Sequence, residues 1–279
     1  MQVVGQLPLA VRTQDSGPRH FFPDFFVQLY GYREYLRQSV LRDLRTKYKR
    51  SFLGYLWTML HPLGMMAVLA VVFSQVMRIP VEHYAIFLFA GLLPWNYFNS
   101  TVMMSLNNIR ANARLFGQVA VPKYIFIISL VFSNLVNFYL SVIPLLAIML
   151  ALGHPITIAA AALPIVLLPL ICVTVGISLM LAALNVFFDD TVHIAEVGLQ
   201  ALYFLCPVLY KRDILPPRLV TILEINPLFC QVEFLRGLFY EGVLPAPDLF
   251  LVNLAASVLI LFLGLWMFKR AENKFMYFI

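Results

Sequence analysis

Five long stretches of this 279-residue chain contain no Asp, Glu, Lys or Arg. They comprise residues 51–77, 83–109, 124–188, 197–210 and 249–268. A helix rises about 1.5 Å per residue, so about 20 apolar residues cross the ~30 Å hydrocarbon core of a bilayer. The first, second and fifth stretches therefore suit one crossing each, and the third, which is 65 residues long, suits two.

The composition excludes several classes of soluble protein. Hydrophobic residues make up 61% of the chain and charged residues 12%, against roughly 45–50% and about 25% in soluble domains. A chain with so few charges cannot cover a globule with soluble surface. A cytosolic enzyme, a nucleic-acid-binding domain and a disordered tail are therefore excluded.

The two remaining stretches complete the count of crossings. Gly153-His154-Pro155 divides the third stretch, since Gly and Pro break helices. The fourth stretch reaches about 20 residues if its helix begins near Thr191, with Glu196 close to the membrane surface or on an inward face. The sequence thus predicts an all-α polytopic membrane protein with six transmembrane helices. The fifth helix, which runs into Cys206-Pro207, could be broken or re-entrant.

The distribution of Lys and Arg predicts the orientation in the membrane. With six crossings both termini share one side, which would hold 15 of the 20 basic residues. Basic residues are retained on the cytoplasmic side, so both termini are expected there. This bias also explains the net charge of +6 without nucleic acid. Since residues 1–50 show no apolar run long enough for a cleavable signal peptide, the helix beginning near Ser51 is expected to act as a signal anchor.

The sequence before the first crossing indicates an amphipathic helix. We divide the chain into an N-terminal cytoplasmic segment (1–35), an interface helix (36–50) and a six-helix transmembrane domain (51–279). Apolar residues recur at every fourth position of the interface helix, at Leu36, Val40, Leu44 and Tyr48. Such a helix lies on the membrane surface. It could be an anchor alone, or it could also dock a partner or receive an anionic lipid headgroup.

Two loops are candidates for conformational roles. Residues 110–122 form the only cytoplasmic loop long enough for a short helix, which could transmit motion from a partner or simply link two crossings. Residues 211–248 lie outside and are too apolar for a hydrophilic loop. Pro216-Pro217 and Asn226-Pro227 divide this external segment into two short helices, which could roof a pore.

The chain carries no evident machinery for using energy or for catalysis. It has no Gly-x-x-x-x-Gly-Lys-Ser/Thr motif, and its histidines and cysteines lack metal-ligand spacing, so we predict neither a nucleotide site, nor a catalytic residue, nor a metal site. Glu196 is the only candidate proton carrier in a crossing. Asp189, Asp190 and His193 are expected to cap helices, and Gly176 to allow close helix packing. Energy for transport would then come from a partner.

The sequence resembles the membrane subunits of bacterial ABC-2 type polysaccharide exporters, which are permeases for O-antigen, capsule or teichoic acid chains. The resemblance covers roughly residues 36–278. It is carried by Arg45–Trp57 with Pro62, Gly91–Trp95, Asn185–Asp190, Cys206–Tyr210, Ile214–Pro217, and Asn226–Leu228 with Arg236. One departure is Asp189, because the family often has Arg-Asp where Asp189-Asp190 stands.

The resemblance implies a homodimer of this chain with two copies of a P-loop ATPase subunit that binds ATP and Mg. Residues 110–122 would contain the coupling helix gripped by the ATPase, with candidate contacts at Arg110, Arg114, Leu115, Phe116 and Pro122. Helices 1 and 5 would line a glycan conduit, with candidates Tyr55, Trp57, Phe73, Tyr203 and Phe204. The two external helices would form a gate containing Pro216, Pro217, Asn226, Pro227 and Arg236.

The implied substrate is a glycan linked to undecaprenyl diphosphate, exported across the bacterial inner membrane. From their charge and place, Lys47, Lys49 and Arg50 are candidate contacts of the diphosphate. Two alternatives remain. One is an ABC-2 permease for another lipid or a drug. The other is a membrane enzyme acting on lipid-linked sugars, for which Asp189, Asp190 and His193 form the only candidate cluster.

Overall fold

The computed structural model describes residues 21–47, 56–72, 83–113 and 121–278, which are almost entirely helical and contain no β-strand. The first five helices are α1 (Phe21–Gly31), α2 (Arg33–Lys47), α3 (Leu56–Val71), α4 (Tyr84–Leu106) and α5 (Asn108–Ala111). The next three are α6 (Tyr124–Ala151), α7 (Leu163–Phe187) and α8 (Thr191–Leu205). The last three are α9 (Pro217–Leu223), α10 (Pro227–Arg236) and α11 (Pro247–Glu272).

A helix lies in each of the six predicted crossings, at α3, α4, α6, α7, α8 and α11. Among the described residues, three helical segments are long and apolar enough to span a bilayer, namely Tyr124–Ala151, Ile158–Phe187 and Pro247–Glu272. This confirms the helical membrane class. The exact number of spans stays a prediction, because α3 and α8 have only 16 and 15 residues and α4, with 23, is not among these three segments.

The predicted turn within the longest charge-free stretch is confirmed. Helix α6 ends at Ala151, and Gly153 adopts φ +70°, a left-handed conformation that glycine takes without strain. The His154 ring is held by a 3.0 Å hydrogen bond between its Nε2 and the carbonyl oxygen of Tyr240. The turn is therefore fixed to the external segment, and the chain returns through α7.

Helix α4 is at the centre of the fold. It packs against α3, α6, α7, α8 and α10, and most of its side chains are buried. Nearly every side chain in its N-terminal half is hydrophobic and buried, as expected for a helix that other helices surround. Some residues of α4 face a gap between α3 and α8. They therefore line a surface inside the protein.

The contact between α7 and α11 depends on two glycines. A methyl group on Gly176 would lie 2.5 Å from the carbonyl oxygen of Ile260, and one on Gly264 would collide with the carbonyl of Gly176. The two backbones touch only because both residues lack a side chain, as is common between membrane helices. The prediction that Gly176 allows close packing is confirmed.

Two helices, rather than one, precede α3. Helix α2 begins at Arg33 instead of residue 36, and α1 lies in the segment that we assigned as residues 1–35 without a helix. The ring of Phe25 lies 5.5 Å from that of Tyr124, and the Tyr124 hydroxyl donates a 2.7 Å hydrogen bond to Gln28. A helix of 11 residues is marginal alone, so α1 depends on this tertiary contact, which periodicity cannot reveal.

The apolar face of α2 packs on α6. Leu36 and Leu44 are buried and Val40 is half-buried, while Ser39 donates a 3.2 Å hydrogen bond from its hydroxyl to that of Ser129. The face predicted from the four-residue repeat therefore packs against another helix of the protein. Its last position, Tyr48, lies outside the described residues.

We predict that Gly264→Ala destabilises the protein. The added methyl group would force α7 and α11 apart, and overpacking of this kind costs roughly 1–3 kcal/mol. The melting temperature in detergent should fall by several degrees. Gly198→Ala is the matched control, because a methyl group on Gly198 would meet nothing within 4 Å. Equal melting temperatures for the two variants would contradict the tight contact.

Candidate functional site

A groove between α3, α4 and α8 is the candidate conduit surface. Its volume is about 450 Å³. Helix α3 contributes Met65 and Leu69. Helix α4 contributes Leu92, Trp95, Asn96, Asn99 and Met103, and α8 contributes Glu196, Leu199, Gln200 and Tyr203. We call this the conduit groove.

The conduit groove combines aromatic faces with amide groups. The rings of Trp95 and Tyr203 lie 5.2 Å apart on facing helices. Asn96 and Asn99 are three residues apart on α4, so both amides point toward the groove, where Gln200 faces them. Within the described ranges, no residue hydrogen-bonds to these three amides. Aromatic faces pack on the apolar faces of sugar rings, and amides both donate to and accept from hydroxyls.

The structure brings only part of the predicted conduit set together. Tyr203 lines the conduit groove, whereas its neighbour Phe204 is 61% exposed and does not. Trp57 is 52% exposed on α3 and lies outside the groove lining. Tyr55 and Phe73 lie outside the described residues.

Sequence reasoning missed the contribution of α4. From the sequence we predict Trp95 only as part of the Gly91–Trp95 motif, and we predict no role for Asn96 or Asn99. The signal was present as Trp95-Asn96-x-x-Asn99, which places an aromatic ring and two amides within one turn of an otherwise apolar helix. Only packing shows that this turn faces a gap rather than lipid.

The predicted cytoplasmic side of α4 is joined to that of α7. The guanidinium of Arg110 forms an ion pair with Asp189 and donates a 3.2 Å hydrogen bond to the carbonyl oxygen of Val186. The side-chain amide of Asn185 donates a 2.9 Å hydrogen bond to the carbonyl oxygen of Leu106. The start of the 110–122 segment is therefore attached to the corner between α7 and α8.

The expected helix-capping role of the acidic pair is met in position only. Asp190 is the N-cap residue of α8, but its side chain makes no capping hydrogen bond. The carboxylate of Asp189 pairs with Arg110 instead. The partner lies 79 residues away in the chain, which no local pattern reveals. The negative charge that departs from the family pattern thus has a defined partner.

The other end of the 110–122 segment is attached to α11. The Lys123 ammonium donates a 2.9 Å hydrogen bond to the Glu272 carbonyl oxygen, and the Lys123 backbone N–H donates one of 3.3 Å to the Glu272 carboxylate. Burial lowers the pKa of the Lys123 ammonium, while Glu272 opposes this shift and Lys269 adds to it. Pro122 directly precedes this contact, whereas Arg114, Leu115 and Phe116 lie outside the described residues.

The external segment forms the two short helices that the prolines predicted. Pro216 precedes α9, whose first residue is Pro217. Asn226 caps α10, because its side-chain oxygen accepts a 3.0 Å hydrogen bond from the backbone N–H of Leu228, and Pro227 is the first residue of that helix. The helices are confirmed, and their role as a gate stays a prediction.

Helix α8 ends early, and its continuation is not helical. The last helical residue is Leu205, and Cys206 already has an extended conformation. Fifteen residues of helix rise only about 22 Å, so α8 is short for a crossing. Backbone N–H and C=O groups beyond the end of a helix in this region need hydrogen-bond partners from the protein. Tyr84 supplies one with a 2.8 Å hydrogen bond from its hydroxyl to the carbonyl oxygen of Leu209.

Arg236 supplies most of the other partners. Its guanidinium is almost fully buried and donates hydrogen bonds to the carbonyl oxygens of Val208 (2.6 Å), Tyr210 (3.2 Å) and Phe87 (3.4 Å). It also forms a 3.0 Å ion pair with Glu233. One side chain thus connects α10, the end of α8 and α4.

Arg236 approaches the backbone of α4 closely at a glycine. The guanidinium carbon lies 3.7 Å from the centre of the Phe87 ring, and a methyl group on Gly91 would lie 2.9 Å from Nη2. Gly91 therefore opens the space on α4 into which the guanidinium fits. The motifs Gly91–Trp95, Cys206–Tyr210 and Arg236, which are far apart in the chain, meet at this point.

Comparison with known proteins assigns the family. Residues 34–240 match the ABC-2 type transporter family, which is more than half of the chain. The chain belongs to the ABC-2 type transporter family. The match spans the conduit groove, the Arg110–Asp189 contact and the Arg236 cluster.

Several ABC-2 relatives match nearly full length. The chain is 33% identical over 250 residues to the O-antigen export system permease protein RfbA of Myxococcus xanthus, covering 89% of this chain and 96% of that protein. It is 29% identical to RfbA of Klebsiella pneumoniae, covering 84% and 90%. It is 28% identical to the polysialic acid transport protein KpsM of Escherichia coli, covering 84% and 92%. The resemblance inferred from the motifs is confirmed.

We predict that Arg236→Met is strongly destabilising in this ABC-2 protein. It would leave the partly buried Glu233 and three backbone carbonyls without their donor, and an unsatisfied buried polar group costs about 1–3 kcal/mol. Arg236→Lys should also be less stable than the parent, because one ammonium cannot reproduce the hydrogen bonds of the planar guanidinium. Thermal unfolding in detergent measures both.

The matched control for this prediction is Arg218→Met, which removes an exposed arginine from the same external segment. Its melting temperature should stay within about a degree of the parent, as expected for a surface change of under ~0.5 kcal/mol. A similar loss in Arg218→Met and Arg236→Met would refute the role of Arg236.

Proposed function

We propose that this chain is the membrane-spanning permease subunit of an ATP-driven exporter that carries a lipid-linked polysaccharide across the bacterial inner membrane. The observation that carries the proposal is the conduit groove, an aromatic and amide-lined surface on an ABC-2 family member. The names of its relatives, O-antigen export permease and polysialic acid transport protein, support the same substrate class.

The conduit groove is proposed as one wall of a conduit completed by a second copy. Large apolar side chains outside its lining are exposed on both bordering helices, with Val68 on α3, and Ile194 and Val197 on α8. A homodimer that covers these faces would bring two grooves opposite one another. The single-chain volume of about 450 Å³ would then become half of a larger passage.

The energy is proposed to come from two copies of an ATPase subunit that bind ATP and Mg. The chain has no P-loop motif, so nucleotide would bind on that partner. The natural contact is the 110–122 segment, whose two ends are attached to Asp189 and to Glu272. Motion imposed on this segment would reach α7, α8 and α11 directly, with both termini on the same cytoplasmic side as the ATPase.

The lipid-linked end of the substrate is proposed to enter beside α2. Arg37, Arg42 and Arg45 are exposed on the face of α2 that does not pack on α6. The candidate diphosphate contacts follow directly, with Lys47 as the last residue of α2 and with Lys49 and Arg50 outside the described residues. A run of cations beside the first crossing would attract an undecaprenyl diphosphate headgroup.

The external helices are proposed to close the far end of the passage. Helices α9 and α10 follow the non-helical end of α8, and Tyr203 of the conduit groove lies just before that end. Arg236 links α10 to the carbonyl oxygens of Val208 and Tyr210, which follow α8. A shift of α8 would therefore move the two external helices.

Export in cells tests the proposed function. Deletion of the gene should remove surface polysaccharide and cause lipid-linked glycan to accumulate inside, with both restored by the parent chain. Tyr203→Ala should lower surface polysaccharide about fivefold, as expected if ~1 kcal/mol of stacking is lost. Surface polysaccharide is measured by gel ladder and by glycan staining of intact cells.

The matched control is Tyr139→Ala, which removes a half-exposed aromatic from α6 and leaves the conduit groove unchanged. It should export at the parental level. Normal surface polysaccharide in the deletion strain would refute the substrate class. Modification of lipid-linked sugar by the purified chain alone would favour a membrane enzyme instead.

We also predict a charge-swap effect at the coupling corner. Arg110→Asp should lower ATP-dependent export severalfold, because two carboxylates would then repel one another at this corner. The exposed position of the pair limits the change in stability to under about 1 kcal/mol. The double variant Arg110→Asp with Asp189→Arg should recover most of the export.

Arg33→Asp is the control for the swap, because it reverses an exposed arginine at the start of α2, on the same predicted side of the membrane. Export and melting temperature are measured for these three variants and the parent in the presence of the ATPase subunit. If the double variant exports no better than Arg110→Asp, the ion pair is not what joins the segment to α7 and α8.

A further inference from the structure

We propose that a second groove, between the ends of α7 and α11 next to the C-terminus, binds an anionic phospholipid of the cytoplasmic leaflet. Its volume is about 420 Å³. We call it the basic groove, and its defining residues are Phe188, Trp266, Arg270, Lys274 and Phe278. It shares no lining residue with the conduit groove.

The position of the basic groove is that of a membrane interface. The charge-free run of α11 ends at Phe268, and Lys269 and Arg270 follow at once. A tryptophan one turn before such a transition is typical of the headgroup level of a bilayer. The groove therefore lies where an apolar span gives way to the basic side of the protein.

The wall of the basic groove is apolar and open to its surroundings. The exposed fractions are 65% for Phe188, 53% for Trp266 and 56% for Phe278. These rings would be costly to expose to water together, whereas they suit the glycerol and upper acyl region of a lipid. Amides such as those of the conduit groove are absent from its lining, so a sugar is a poorer match.

The two cations of the basic groove have the charge to bind a phosphate. Arg270 and Lys274 are four residues apart near the end of α11 and line the same groove. Within the described residues neither forms an ion pair with a carboxylate, while the adjacent Lys269 pairs with Glu272 at 3.4 Å. The Arg270 guanidinium lies 5.6 Å from the Trp266 ring, which leaves its N–H groups available to a phosphate.

The positive charge of the basic groove therefore favours an anionic lipid over a neutral one. Two cations beside an apolar wall at the membrane interface match a phosphodiester with a negative headgroup and attached acyl chains. A zwitterionic lipid would also bring its own cation close to Arg270 and Lys274. The inference goes beyond the proposed transport activity, since it concerns a resident lipid at a separate surface.

Quenching of Trp266 by brominated lipids tests the proposal. The chain has three tryptophans, so Trp57→Phe with Trp95→Phe leaves Trp266 as the only reporter. In nanodiscs of mixed composition, brominated phosphatidylglycerol should quench Trp266 at an about fivefold lower mole fraction than brominated phosphatidylcholine does. The readout is lipid binding, so its failure is distinguishable from failure of the transport proposal.

Three further variants isolate the cations. Arg270→Gln with Lys274→Gln should abolish the preference for phosphatidylglycerol, and Arg270→Lys with Lys274→Arg should retain it. Lys211→Gln with Arg218→Gln, which makes the same charge change in the external segment, should also retain it. Melting temperatures confirm that each variant is folded.

Several outcomes would overturn the proposal. Equal quenching of the parent by both lipids excludes charge selection at the basic groove. A preference that survives in Arg270→Gln with Lys274→Gln, or that disappears in the external control, excludes these two cations as its source. Absence of quenching by either lipid would show that another protein surface, such as a second copy, covers the groove.

Discussion

Backbone that leaves a helix inside a membrane protein must find its hydrogen-bond partners within the protein. In this chain α8 stops at Leu205, so the carbonyl groups of the following residues need such partners. Arg236 and Tyr84 meet it with hydrogen bonds to Val208, Tyr210 and Leu209. The rest of the external segment depends on this solution, because α10 carries the arginine and α4 provides the space at Gly91.

The same cluster sets the geometry of the conduit groove. Tyr203 lies near the end of α8, directly before the non-helical run that Arg236 holds. Its ring packs near Trp95, one turn beyond Gly91 on α4. The position of one groove wall relative to the other therefore depends on the buried guanidinium, which also holds α10 against the end of α8.

A chain with few charges uses several of them as long-range attachments. Arg110 joins the end of α4 to the corner before α8, and Lys123 joins the start of α6 to the end of α11. Both attachments flank the 110–122 segment, where we propose that the ATPase subunit acts. Most of the other contacts between these helices are apolar or between close backbones, as at Gly176 and Gly264, so the charged contacts help to fix the register of the helix ends.

The sequence by itself determined the elements that depend on local chemistry. Charge-free length predicted a helix in each of six places, Gly153 predicted the turn, and Pro217 and Asn226-Pro227 predicted where the external helices begin. The tertiary structure alone decided which side chains meet. The Lys123–Glu272 contact joins residues 149 apart, and the Asn96–Asn99 turn faces a groove only because α3 and α8 leave a gap there. Local patterns report the preference of a segment for helix or turn, whereas a site depends on the packing of distant segments, which no local pattern contains.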